Sequence, residues 1–240
     1  MLSIITVSYN CLDFIQLLVQ SVRRFTTWPH ELIIIDNASS DGSREWLESQ
    51  PDIRLAPLTN NIGHGRGLDM ALGLASGDFC LILDADSHIQ RSEYECDLLA
   101  HYRSGPNVRL VAAQGTYNVD APDAKPIHAA FMFFETQVFK DLKLSFIADG
   151  RHDVGRKIFY DLRDMGFATV RIESGIKFYD GVYGDNYYLD GRPTLYHNWY
   201  SSRMWERDFV DDYKRFDFEK YKANLFSQPL VKNILSSDLE

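Results

Sequence analysis

Short runs rich in β-branched and aliphatic residues alternate with helix-spaced segments as far as Asp86, and this alternation constrains the fold most strongly. Residues 2–7, 31–36, 53–55 and 80–83 have strand length and strand composition. Between them, Phe14, Leu18 and Val22 recur at helical spacing with Ile15 and Leu17 beside them, then Trp46 and Leu47, then Leu68, Leu72 and Ala75. Pro29 stops the first helix from continuing, and Ser40 or Asp41 is placed to cap the second. Strands that alternate with helices imply a parallel sheet with right-handed crossovers. The expected class is therefore α/β, with a Rossmann-like, mostly parallel central sheet and helices on both faces. Ligands of such sheets bind beyond the carboxyl ends of the strands. Three of those ends carry polar groups here: Ser8-Tyr9-Asn10, Asp36-Asn37 and Asp84-Ala85-Asp86.

The third end is the most informative. Cys80-Leu81-Ile82-Leu83 is a continuous apolar run that finishes in two carboxylates separated by one residue. Residues i and i+2 of a strand point to one side, so Asp84 and Asp86 can converge on a small volume. Two carboxylates there suit a divalent cation that carries phosphate oxygens. Asp is also a common turn former, and the pair alone does not separate a site from an ordinary strand exit. Upstream, Asn61-Ile62-Gly63-His64-Gly65-Arg66-Gly67 opens a helix. Glycines allow close backbone approach, and a helix amino terminus suits an anion. Their spacing is neither that of a dinucleotide fingerprint nor that of a P-loop.

Beyond Asp86 the pattern predicts a helix over 93–102, strands over 108–113, 129–134 and 167–172, and helices through Phe139 and through Ile158 and Leu162. Thr136 is a candidate cap for the first of these two. Residues 117–125 read as a loop and 175–193 as a long irregular connection, dense in Gly, Asp and Tyr. Phe209, Tyr213 and Phe216 fall on one face of a charged helix, and the chain from Ser227 reads as a loosely held tail. Net charge of -9 argues against charge-driven nucleic-acid binding. Three cysteines without metal-like spacing fit a reducing compartment. Absence of a signal-like amino terminus or a spanning apolar stretch leads us to expect a cytoplasmic protein, at most peripheral to a membrane.

Taken together, these residues resemble the family 2 glycosyltransferases of the GT-A fold, in particular rhamnosyltransferase-like single-domain members. Ile5-Thr6-Val7-Ser8-Tyr9-Asn10 is similar to that family's first strand and nucleotide loop. The segment Asp36-Asn37-Ala38-Ser39-Ser40-Asp41-Gly42-Ser43 is similar to its second signature, and Asn61-Ile62-Gly63 to its third. Leu83-Asp84-Ala85-Asp86 matches its Asp-x-Asp motif, His152-Asp153-Val154 resembles its acidic acceptor-side motif, and His197 its late metal-binding histidine. The resemblance implies a GT-A domain over 1–204, with a nucleotide-sugar half (1–105) and a mixed acceptor-side half (106–204), followed by a helical extension over 205–240.

It also implies roles. Ser8, Tyr9, Asn10, Asp36, Asn61, Gly63, Arg66, Asp84, Ala85 and Asp86 would bind the nucleotide sugar, with Asp36 accepting from a pyrimidine N3–H. Asp86, His197 and Asp84 would hold Mn²⁺ or Mg²⁺, and Asp153 would be the catalytic base. Each has a plainer alternative: a packed histidine at His197, a helix cap at Asp153 or Asp41, a surface ion pair at Arg66. Two departures from the family stand out, His152 where it usually has Glu and Asp69 where many relatives carry Asn. The implied activity is an inverting, metal-dependent and non-processive hexosyl transfer from a UDP- or dTDP-sugar. The acceptor would be a glycan, a lipid-linked glycan or another hydroxyl, with nucleic acid disfavoured by charge. A sugar-nucleotide pyrophosphorylase needs a basic Gly-rich loop after the first strand, which Ser8-Tyr9-Asn10-Cys11 lacks. A non-catalytic nucleotide-sugar-binding protein is the other alternative. Processive relatives carry membrane helices and a Gln-x-x-Arg-Trp motif, neither of which occurs here.

Overall fold

The computed structural model describes residues 1–114, 127–152, 154–176, 184–198 and 218–236. Asp153, the 117–125 segment and the Phe209-Tyr213-Phe216 face lie outside them. Strands β1 (Leu2–Ser8), β2 (His30–Asp36), β3 (Ile53–Pro57) and β4 (Phe79–Leu83) alternate with helices α1 (Leu12–Phe25), α2 (Ser43–Glu48) and α3 (His64–Leu74). These four strands pair in parallel, in the order β3-β2-β1-β4. There follow β5 (Ser87–Ile89), α4 (Tyr94–Tyr102), β6 (Val108–Gln114), β7 (Ile127–Glu135), α5 (Thr136–Asp141), α6 (Arg156–Asp164) and β8 (Ala168–Ile176). Then come β9 (Gly184–Leu189), β10 (Arg192–Asn198), α7 (Phe218–Ser227) and α8 (Pro229–Leu235). Parallel pairing gives way to a mixed half in which β7 runs antiparallel to both β4 and β6.

Side chains alternate between two cores, as the strand period requires. Leu2, Ile4, Leu32, Ile34, Leu81 and Leu83 face a layer that contains α1, α4, α7 and α8. Ile5, Ile33, Ile35, Cys80 and Ile82 face α3, α5 and α6. Helices therefore cover both faces. The full order is β3-β2-β1-β4-β7-β6-β8-β9-β10-β5. β5 ends the sheet against β10, although only Asp84-Ala85-Asp86 separates it from β4. Laid flat, strands six places apart would be separated by about 29 Å. The linking residues reach about 14 Å at most. The sheet must curl until its far end returns to the tip of β4, and the Asp-x-Asp segment lies on that seam.

Several sequence expectations change. The irregular connection proposed for 175–193 contains the β9–β10 hairpin, whose turn residues Asp190 (φ 52) and Gly191 (φ 73) are both left-handed. That is the geometry for which Asp-Gly is the preferred two-residue turn. The tail expected from Ser227 is instead a helix, and Val231 and Ile234 are buried in the α1 layer. The cap positions of α2, α5 and α6 belong to Gly42, Glu135 and Gly155, none with a side-chain cap. Asp41 acts one residue earlier: Oδ1 accepts from the Ser43 amide and hydroxyl, and Oδ2 from the Leu12 amide. One carboxylate thus ties the starts of α1 and α2 together. Gly65 and Gly67 lie inside α3 and serve packing, since a Cβ would come within 2.2 Å of the Phe146 carbonyl oxygen or 2.8 Å of Val7 Cγ2.

Candidate active site

At the β1 and β2 exits, the loops are fastened to one another by their own side chains. Asn10 Oδ1 accepts from the Ser40 amide at 2.8 Å, and the Asn10 amide donates to Ser39 Oγ at 3.0 Å. Asn37 Nδ2 donates to Asn61 Oδ1 at 2.8 Å, and Asn37 Oδ1 accepts from the Ile62 amide. Asn61 Oδ1 also accepts from the Gly63 amide, so Asn61 and Gly63 form the entry turn of α3. Ser8 is fully buried with its hydroxyl 3.5 Å from Cys11 Sγ, whereas Tyr9 is half-buried beside it. Arg66 is exposed on the first turn of α3, with no ion pair among the described residues. Asp69 uses both carboxylate oxygens on the Ser145 hydroxyl and the Phe146 amide.

Asp36 is fully buried at the end of β2. Its Oδ2 accepts from Arg44 Nε at 2.9 Å and Nη2 at 2.8 Å, and from the Ser39 amide at 3.2 Å. Arg44 also donates to the Leu58 carbonyl. Asp36 Oδ1 has no donor among the described residues. A buried acceptor without a donor is costly, so Oδ1 is open to an N–H that the described residues do not supply.

The metal-type cluster sits at the seam. His197 Nε2 lies 3.3 Å from Asp86 Oδ1 and 3.4 Å from Asp84 Oδ2. All three residues offer ligand atoms within 4.8 Å of one another. Their side chains are only 9–14 % exposed. β5 and β9 flank β10, and they set His197 opposite Ser87 on one side and Asp185 on the other. Burial pulls the His197 imidazole down, but Asp86, Asp84 and Asp185 outweigh it and hold the group up at about 9. Tyr187, also on β9, is raised by burial and by the same three carboxylates. Separations of 3.3–3.4 Å are those of adjacent ligand atoms each about 2.1 Å from one ion. Two carboxylates and an imidazole thus fit a hard or borderline divalent cation.

Three side chains that sequence reading passed over join this site. Arg44 neutralises Asp36, and its only trace in the sequence is a position in the first turn of α2. His64 Nε2 lies 3.4 Å from Asp84 Oδ1, and neither atom has a hydrogen-bond partner among the described residues. Asp185 is 4 % exposed across the ladder from His197. The Asp190-Gly191 turn signal would have paired β9 with β10 and so found it. Before α6, His152 Nδ1 lies 3.0 Å from Asp149 Oδ2. Hydrogen bonds from His152 and from the Arg151 and His152 amides hold Asp149 well below the usual carboxylate range.

A family profile described as Glycosyl transferase family 2 matches residues 3–163, which takes in the polar ends of β1, β2 and β4 and the whole Asp-x-Asp segment. The chain belongs to glycosyl transferase family 2. This family 2 chain is 34% identical over 103 residues to a Bacillus subtilis (strain 168) protein provisionally named as the teichuronic acid biosynthesis glycosyltransferase TuaG, covering 41% of the chain and 40% of TuaG. Among solved structures it resembles the mannosyltransferase PcManGT from Pyrobaculum calidifontis, in complex with GDP-Man and Mn²⁺. The TM-score is 0.56 at 22% identity, over 71% of this chain and 54% of that one. It also resembles S. aureus TarS 1-349 in complex with UDP-GlcNAc, with a TM-score of 0.58 at 16% identity, over 100% and 68% of the two chains. These likenesses establish the GT-A type of mixed α/β fold expected from the sequence. The chain spans less than half the length of the curated relatives it matches. Among the described residues, no helix is long and apolar enough to cross a membrane.

Proposed function

We propose that this chain is an inverting, metal-dependent glycosyltransferase that moves one hexosyl group per encounter from a nucleoside-diphosphate sugar to an acceptor hydroxyl. The observation that carries the reading is the convergence of Asp84, Asp86 and His197 at the carboxyl edge of a parallel sheet, in a chain of family 2. A divalent cation held there supplies Lewis-acid neutralisation of the diphosphate leaving group. Imidazole beside two carboxylates favours Mn²⁺ over Mg²⁺. PcManGT, with GDP-Man and Mn²⁺, and TarS, with UDP-GlcNAc, are family-type neighbours consistent with a nucleotide-sugar donor.

For the base, Asp36 Oδ1 is a buried acceptor awaiting an N–H. Uracil and thymine present one at N3 and cytosine does not, which supports UDP- or dTDP-sugars over CDP-sugars; guanine also presents one, at N1, and a screen of nucleotide sugars separates it. Tyr9, Asn10 and Ala85 would line the base and ribose, and Arg66 would meet phosphate at the start of α3. The acceptor proton needs a carboxylate base, and Asp153 is assigned by its place beside His152. The acceptor reading is a glycan, a lipid-linked glycan or a related hydroxyl compound, at a site peripheral to a membrane in the lipid-linked case.

A thermal-shift screen of nucleotide sugars with and without Mn²⁺ tests the donor site. Stabilisation of the wild type by a uridine or thymidine diphosphate sugar, lost in Asp86→Ala and His197→Ala, is expected. If no nucleoside diphosphate raises the melting temperature, or if both variants respond as the wild type does, the donor model fails. Asp153→Asn should retain the shift and lose transfer by about a hundredfold or more; unchanged turnover removes Asp153 from the base role.

A further inference from the structure

The carboxyl-terminal helix α7 reaches the metal-type cluster through a short hydrogen-bond relay that no motif announces. Tyr221, 2 % exposed, donates from its hydroxyl to Asn198 Oδ1 at 2.6 Å. Asn198, fully buried at the end of β10 and next to His197, donates twice to the Asp86 carbonyl oxygen: from Nδ2 at 2.5 Å and from its backbone amide at 2.9 Å. The chemistry fixes the polarity of each link. A peptide carbonyl only accepts, so Asn198 must turn Nδ2 toward Asp86, which leaves Oδ1 facing α7 and in need of a donor. A phenol supplies that donor. Without it, a buried amide oxygen would stand unpaired, and a flipped Asn198 would set its oxygen against the Asp86 carbonyl.

We infer that Tyr221 is a positioning residue for the cation site, acting through Asn198 to fix the backbone of Asp86 relative to His197. This rests on the metal reading given above. The relay fastens three segments at one point: the Asp-x-Asp seam, the end of β10 and α7. Helix α7 is in turn anchored on α1 by the Lys222–Asp13 ion pair and by the edge-on contact of Phe226 with Phe14 at 6.2 Å. Asp86 and Asn198 are 112 residues apart, and Tyr221 adds a third remote segment. Partners that orient a metal ligand from behind commonly change affinity by about 10–100-fold when removed.

Two measurements on the full chain test the relay. Mn²⁺ titration followed by electron paramagnetic resonance should show Tyr221→Phe binding about tenfold or more weakly than wild type. Lys222→Met, which removes an ion pair of the same helix without touching the relay, should bind within about twofold of wild type, a half-exposed ion pair adding little. Hydrogen exchange of the Asn198 amide in metal-free protein should quicken in Tyr221→Phe and not in Lys222→Met. Wild-type Mn²⁺ affinity in Tyr221→Phe, or equal loss in both variants, overturns the inference. Should the wild type itself bind no Mn²⁺, the cation reading falls, and exchange at Asn198 alone decides whether the relay holds Asp86.

Discussion

At Asp36 a carboxylate is fully buried, one oxygen is held by Arg44 and Ser39, and the other has no donor among the described residues. Removing the guanidinium would leave an unpaired buried charge. Arg44→Met should therefore lower stability by about 3 kcal/mol, the low end for a broken buried pair because Arg44 is itself partly exposed. Urea midpoints measure this, and a loss under about 1 kcal/mol would mean that Asp36 has another partner. The two residues differ in how legible they were. Asp36 ends an apolar run in a recognisable signature, as do Asp84 and Asp86, and their place at the strand ends could be read directly. Arg44 and His64 acquire their roles only when loops close over strand ends, so no local pattern marks them. Asn61 and Gly63 were legible as a motif, and their hydrogen bonds build the α3 entry turn.

The β9–β10 hairpin is the element on which the cluster depends, because His197 sits near the end of β10 and faces Asp185 on β9. Its turn requires left-handed backbone at both Asp190 and Gly191. Asp tolerates that conformation and a β-branched residue does not. A Cβ at Gly191 meets nothing within 4 Å, so substitution there reports backbone strain alone. Gly191→Val should cost about 1–2 kcal/mol, and Gly191→Asn distinctly less. Melting temperatures of the two variants compare them, and equal values would refute the turn assignment. The first four strands were readable from composition and periodicity, since fully buried parallel strands are continuous apolar runs. β9 was not, because Gly184-Asp185-Asn186-Tyr187-Tyr188-Leu189 has the residue types of a loop. Pairing with β8 and β10, rather than propensity, makes it a strand.

For the whole molecule, the open question is whether the expected boundary near residue 204 separates two cooperative units. Tyr221, Leu225, Val231 and Ile234 share one core with Leu18, Leu81 and Phe131, which argues for a single unit. Ile234→Ala, at a fully buried position, should then destabilise the entire chain by about 2–3 kcal/mol. A urea transition that keeps its main midpoint while a separate minor step appears would instead establish an independent extension. The docking of α8 was not legible because Val231 and Ile234 are too few to show a period. The curled sheet has a consequence for the order of assembly. Asp84 and Asp86 emerge early in synthesis, but their imidazole partner arrives only when β10 closes against β5, which makes this the most non-local contact of the site. Contacts of that kind form late, since the loop they close must be ordered first. Cation binding would then report completed folding: a chain stalled before β10 would carry the recognisable motif and lack the affinity.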